Sequence, residues 1–356
     1  MNRRTRVTLE AIVSAVLIVA ILQWAGIHRV LHELSHTQLT WFIPAVAVSI
    51  ATVPLMALRW RLLLSAKGIH VPLGWLTRTY FVALFAGQFL PAAIGGDAVR
   101  AVELGRLTRD APESVASVLI DRLVGLVSLV VLAVAAVAVG GGSARRPGVI
   151  LAEAAFGVAA AGILALLFSS RLRGVVARAL EPRPDGHRLA AGGRFYEALH
   201  TYRGHRSTLA LVGALALVVQ LARVGVIALL TRALSLDVPD SVILLTGPVV
   251  FASLALPVSL NGIGVREGVF VYFLHGYAAR PEAVALGLAF YAVGTITALG
   301  GAAVLAVRFA RHGIGAVRLR TRIDGREPAP ELTGEGPTIP QSGDGAGAPA
   351  GRSTGA

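Results

Sequence analysis

Residues 90–100, "LPAAIGGDAVR", and residues 256–266, "LPVSLNGIGVR", align without a gap. Proline falls second, glycine seventh and arginine eleventh in both. The likeness runs outward in both directions. Upstream, Val71-Pro72 corresponds to Val238-Pro239 with one residue of slippage. Downstream, residues 111–119, "APESVASVL", correspond to residues 280–288, "RPEAVALGL", and Gly125 falls opposite Gly294. Chance similarity between Ala-, Val- and Leu-rich segments does not place proline, glycine, arginine and Pro-Glu in the same order twice, so the sequence reads as an internal repeat. Each copy contains a segment broken by proline and glycine, flanked by uninterrupted apolar runs.

Those runs set the class of protein. The chain has 356 residues, 55% of them hydrophobic and 15% charged, against the roughly 25% charged of soluble domains, and its mean hydropathy is +0.69. The runs are as long as a bilayer is thick, which excludes a soluble enzyme. The absence of cysteine excludes disulfides, thiolate metal sites and cysteine nucleophiles. The net charge of +13 comes mostly from arginines at the ends of apolar runs, where they meet headgroups and set orientation. With 6% aromatic residues there is no stacking platform for single strands, and nucleic acid is not expected as a partner.

Uninterrupted spans are expected at about Val7–Ile27, Trp41–Leu64, Glu113–Val139, Val149–Phe168, Thr208–Leu230 and Glu282–Phe309. The first is too long for a signal-peptide core and has no small-residue cleavage site after it. Val71–Gly96 and Ser241–Gly264 are the broken segments. If Val71–Gly96 crossed fully, Arg100, Arg106, Arg109 and the arginine-dense Ser169–Ser207 stretch would lie outside, against the positive-inside rule. Entry and return on one side keeps them cytoplasmic and leaves only Arg145-Arg146 outside. The expected fold is therefore an all-α polytopic membrane protein with two inverted repeats, about six transmembrane helices and two re-entrant segments; the alternative is eight full helices. The membrane region covers residues 1–311, with repeat units at about 41–139 and 208–309. Residues 312–356, rich in Gly, Pro, Glu and Ser, read as a disordered cytoplasmic tail. Both termini are expected in the cytoplasm, with the protein in the cell membrane.

Inverted repeats with broken segments near the midplane are an arrangement used for alternating access, and freed backbone groups at that depth need protein or a wet cavity around them. Asp97, Arg100 and Glu103 are three apart and share a helix face; Asp97 suits the N-cap of a helix starting after Gly96. An interfacial helix with an ion ladder is the structural reading. A helix start and a guanidinium set against a lipid phosphate is the functional one. Arg266 and Glu267 hold the equivalent place in the second copy, either as a snorkelling arginine with its counterion or as a second headgroup contact. Asp121 and Arg122 lie about 13 Å into their span, where charges face the bundle interior and have partners. Being adjacent, they point apart, so each is expected to reach another segment, with Arg100, Glu103, Arg266 and Glu267 as candidates. Arg223 is a further mid-span arginine.

His32-Glu33-Leu34-Ser35-His36 matches the H-E-x-x-H pattern of zinc proteases, with His28 extending the series. Its place in a short connection between spans and the lack of an evident third ligand make a metalloprotease the minor alternative. There is no P-loop and no dinucleotide fingerprint, so no metal, cofactor or enzymatic activity is expected.

"FLPAAIGGDAVRAVEL", "VASVLIDRLVGL" and "NGIGVREGVF" together resemble the flippase-like membrane region of the lysylphosphatidylglycerol synthase family, over about Trp41 to Phe309. The resemblance implies a lipid-translocating domain. It places functional positions at Pro91, Gly95, Gly96, Asp97, Arg100, Arg122, Gly262, Gly264, Arg266 and Glu267, to which the charge argument adds Glu103 and Asp121. The chain departs from the family pattern at Asp121, where glutamate is common, and at Asn261, where glycine is common. No aminoacyl-transfer sequence follows, so lysine transfer to lipid is not expected. The expectation is a flippase for an anionic or phosphate-linked lipid. The alternative is a membrane accessory of a lipid-modifying or glycosyl-transferring enzyme.

Overall fold

The computed structural model describes residues 26–89, 95–139, 206–255 and 262–312, with Gln23 and Val158 as isolated positions. Among the described residues the fold is all helix. A short helix α1 (Ile27–Ser35) is followed by α2 (Leu39–Ser65), α3 (Leu73–Phe89), α4 (Gly95–Thr108) and α5 (Ala111–Val139). Then come α6 (Arg206–Ala233), α7 (Asp240–Ala255), α8 (Val265–Phe273) and α9 (Arg280–His312). The protein is thus an all-α polytopic membrane protein. Helices α2, α5, α6 and α9 are long and apolar enough to cross a bilayer. They fall where four of the six uninterrupted spans were expected, within about one helical turn at each end. The Val7–Ile27 and Val149–Phe168 spans lie essentially outside the described residues, as do nearly all of the Ser169–Ser207 stretch and residues 313–356.

The helix order is long, short, short, long, stated twice. The short helices are 17 and 14 residues in the first half and 16 and 9 in the second, below the roughly 20 needed to cross the hydrocarbon. The matched Val-Pro pairs explain where the first short helix of each half begins. Pro72 O accepts from Trp75 N and Leu76 N, and Pro239 O accepts from Val242 N and Ile243 N. The preceding long helices also end alike. Gly68 at φ +73° lets Ile69 N return to Leu64 O, and Ser235 at φ +55° lets Leu236 N return to Thr231 O, the bond pattern of a left-handed helix cap.

Packing repeats as well. Helices α2 and α6, the first long helix of each half, lie against each other. Helix α3 packs on α9 of the other half, and its counterpart α7 packs on α5. Within the halves, α3 on α4 and α4 on α5 are matched by α7 on α8 and α8 on α9. One buried cluster runs through both halves, including Leu132, Ile227, Leu230, Phe251, Phe270 and Val293; a second sits in the first half around Trp60, Leu64, Leu76, Tyr80 and Leu104. Outward, α2, α5, α6 and α9 expose Ile43, Val134, Leu211, Leu221, Leu299 and Val307. Apolar faces on that scale would be an aggregation hazard in water and are an ordinary lipid contact in a bilayer.

Candidate functional site: a buried arginine–carboxylate cluster

The matched glycines let the two short helices of each half pack on each other. A Cβ on Gly96 would lie 2.8 Å from the Ala83 carbonyl oxygen, so its absence is what lets the start of α4 lie on α3. Gly262, its counterpart, sits at φ +73°, and a Cβ there would meet Leu254 Cδ2 at 2.2 Å, against α7. Gly264, at φ +87°, precedes α8, and its backbone N–H donates to Glu267 Oε2 at 2.6 Å. Gly262 and Gly264 need glycine because the left-handed region is strained for other residues. Gly95 is the first residue of α4. Pro91 and Asn261 lie outside the described residues.

Close packing of α2, α3, α4 and α5 converges three helices on the Asp121 carboxylate. Arg59 Nε of α2 donates to Oδ1 at 2.7 Å. Tyr80 Oη of α3 donates to Oδ2 at 2.5 Å, and Arg100 Nη2 of α4 donates to the same oxygen at 2.8 Å. The Arg100 guanidinium lies between two rings, 4.0 Å from the Tyr80 centroid and 4.3 Å from that of Trp60; the rings stand nearly perpendicular to each other. Trp60 Nε1 donates to Ser117 Oγ at 3.2 Å. Arg100 also reaches Asp97 Oδ1 at 3.4 Å, and Arg122 donates to Asp97 Oδ2. Three guanidinium groups therefore share two carboxylates. The innermost side chains are nearly closed off, while Arg122 and Asp97 keep 29% and 22% exposure, so the cluster has a buried floor and an open rim. Arg100 Nε is buried without a hydrogen-bond partner.

In the second half Arg266 Nε donates to Glu267 Oε1 at 3.1 Å, and Nη2 donates to the same atom. Extending the aligned downstream segments places Asp121 and Arg122 opposite Phe290 and Tyr291. Arg266 lies over those two rings, 6.0 and 5.2 Å from their centroids. The aligned arginines thus face the same position of the following long helix, one through a carboxylate and the other through aromatic faces. Gly287 makes room for Glu267, whose Cγ would lie 2.9 Å from a Cβ there.

Several expectations need correction. Asp97 is inside the first turn of α4, which begins at Gly95 and not after Gly96; its carboxylate oxygens accept from Arg100 and Arg122. Asp121 does reach Arg100, while Glu103, Arg266 and Glu267 are found in other pairs. Glu103 pairs with Arg308 of α9 at 3.3 Å, because it lies two turns along α4 from Gly95 and faces the other half. Arg266 and Glu267 pair with each other, since Glu267 folds back onto the Gly264 amide and leaves its other oxygen beside Arg266. The H-E-x-x-H sequence is not a bare connection but lies on α1, with His36 as its C-cap. His32 and His36 pack edge to face with centroids 4.4 Å apart, and no group of three His, Asp or Glu among the described residues is placed to hold a metal.

Arg59, Tyr80 and Trp60 were not anticipated. Both Arg59 and Arg61 lie in the last two turns of α2, which buries Arg59 while Arg61 stays exposed. Two residues on a helix are about 200° apart, and that alternation was the available signal.

A bundle of apolar helices with arginine–carboxylate groups shielded in its interior defines a multi-pass membrane protein. The chain belongs to the lysylphosphatidylglycerol synthase TM region family, whose model matches residues 7–301. It is similar to "Glycosyltransferase AglD" of Haloferax volcanii, 28% identical over 281 residues, 69% of this chain and 45% of that protein. It is also similar to "UPF0104 membrane protein PH1989" of Pyrococcus horikoshii, 25% identical over 123 residues, 34% of this chain and 37% of that protein. The chain thus aligns with less than half the length of either relative.

Proposed function

We propose that this protein moves a lipid with an anionic or phosphate-linked headgroup between leaflets of the cell membrane, with both termini in the cytoplasm. The observation that carries the reading is the convergence of Arg59, Arg100 and Arg122 on Asp121 and Asp97, a buried floor with a partly exposed rim among helices whose outer faces are apolar. A headgroup phosphate is a fitting acceptor at that rim, because a guanidinium fork matches its oxygens. The repeated long-short-short-long order is read as two inverted units, about 41–139 and 208–309, whose short helices form re-entrant hairpins from opposite leaflets. Exchange of contacts between such units is a route to alternating access.

The test is protein-dependent movement of fluorescent phosphatidylglycerol in liposomes. Arg122→Ala at the open rim is expected to slow movement roughly tenfold, as loss of one charge-assisted hydrogen bond would, with an unchanged elution profile. Full activity in that variant would overturn the reading. A second reading, an accessory of a lipid-modifying or glycosyl-transferring enzyme, draws on the similarity to a protein named a glycosyltransferase. Partner capture with no lipid movement by the wild-type chain would favour it.

A further inference from the structure

Arg223 stands well inside α6, about 25 Å from one end and about 15 Å from the other at 1.5 Å per residue. Its guanidinium lies over Phe251, 4.1 Å from the ring centroid, and Nη1 donates to Gln220 Oε1 at 3.4 Å. No carboxylate among the described residues forms an ion pair with it. Arg59 of α2 is linked to it through Gln220 and the backbone of Gly125. A polar path joins the two arginines. Gln220 Nε2 donates to the Gly125 carbonyl at 3.1 Å, and a Cβ on Gly125 would lie 3.5 Å from Arg59 Nη1.

Intramembrane arginines face the bundle interior or a wet cavity and are matched by partners. Gln220 is neutral, and the Phe251 face attracts the cation without neutralising it. Arg223 is also only partly buried. We propose that Arg223 holds the phosphate oxyanion of an anionic lipid at the α2–α6 junction, with the buried, Asp121-paired Arg59 behind it. This deepens the translocation reading and rests on it, naming phosphate as the recognised group. Gln220 orients the guanidinium and Phe251 supports its lower face, leaving outward N–H groups for two phosphate oxygens. The site lies where the first long helices of the two halves meet.

The experiment is native mass spectrometry of the full chain with phosphatidylglycerol, with a neutral galactolipid, and with phosphatidylglycerol plus inorganic phosphate. The wild type is expected to retain phosphatidylglycerol over the galactolipid. Arg223→Gln should weaken retention roughly tenfold or more, as loss of a charged hydrogen bond implies, while Arg223→Lys keeps most of it. Unchanged retention by Arg223→Gln, or equal retention of the galactolipid, overturns the proposal. Displacement by inorganic phosphate assigns the site to the free ion and overturns the lipid source. If Arg223→Gln does not fold, Gln220→Leu replaces it: weaker retention supports the proposal and unchanged retention overturns it. Recovery of Arg223→Gln stability by Glu153→Gln, an acid in the Val149–Phe168 run, would make that acid the partner and also overturn it. Retention is read without transport. A wild type that retains the lipid but does not move it therefore fails the translocation reading alone.

Discussion

Arg59 and Asp121, 62 positions apart in sequence, meet at 2.7 Å with side chains 6% and 1% exposed. The bond ties α2 to α5, and because Tyr80 and Arg100 meet the same carboxylate, it also fixes α3 and α4. Neutralising Asp121 would leave two guanidinium groups without their shared counterion. Breaking a buried pair in this way costs about 3–5 kcal/mol, a large part of the roughly 5–15 kcal/mol that holds a fold together. Asp121→Asn should therefore lower the detergent-solubilised melting temperature sharply, and Asp121→Glu much less. An Asp121→Asn protein that melts with the wild type would show that the carboxylate does not organise the cluster.

Two glycines separate backbone strain from helix propensity. Gly68 closes α2 at φ +73° with open space around it, so Gly68→Ala puts a side chain into the left-handed region at a cost of about 1 kcal/mol. Gly213 lies inside α6, also with open space where a Cβ would go, and Gly213→Ala gains up to about 1 kcal/mol from propensity. Thermal unfolding of the two variants should shift in opposite directions. Equal shifts would contradict the cap geometry.

Elements whose signal is local were legible in the sequence. The four long helices fell where uninterrupted apolar runs placed them, and the pairs of short helices fell in the two stretches that the self-alignment matches. The arginine–carboxylate theme was also legible, because a charge inside an apolar run is conspicuous and Asp121, Arg122, Arg100 and Asp97 were all picked out. The partners were not. Choosing Arg59 over Arg266 for Asp121 depends on how α2 crosses α5, a tertiary fact that no spacing within one helix encodes. Tyr80 and Trp60 were invisible for a different reason: an aromatic in an apolar run looks like lipid contact or core until a hydroxyl or a cation is found beside it.

The α3–α9 crossing gives a sharper packing test. A Cβ on Gly301 would fall 2.1 Å from the Phe81 carbonyl oxygen and 2.6 Å from Phe85 Cβ. Backbone cannot yield as a flexible side chain can, so Gly301→Ala must push the two helices apart. Overpacking of this kind typically costs about 1–3 kcal/mol. Gly294, two turns earlier on α9, has nothing within 4 Å of its Cβ position. Gly294→Ala is the control and should melt at or above the wild-type temperature, with Gly301→Ala well below it. Indistinguishable variants would mean that the crossing is looser than the structure shows.

The orientation of the two halves can be read chemically because the chain contains no cysteine, so single cysteines report without background. Ala98 lies exposed in the first turn of α4, and Ile263 lies just before α8 in the corresponding part of the second half. If the halves are inverted, the two hairpins enter from opposite leaflets. Ala98→Cys should then react with a membrane-impermeant maleimide from the cytoplasmic face, and Ile263→Cys from the outer face. The positive-inside bias argues for the first assignment, because Arg100, Arg106 and Arg109 follow the first hairpin closely and so belong in the cytoplasm. The second follows from the odd number of crossings between the hairpins in the six-span arrangement. With eight full spans that number changes parity, and the two sites would label from one face. Same-side labelling would therefore remove both the inversion and the alternating-access geometry built on it.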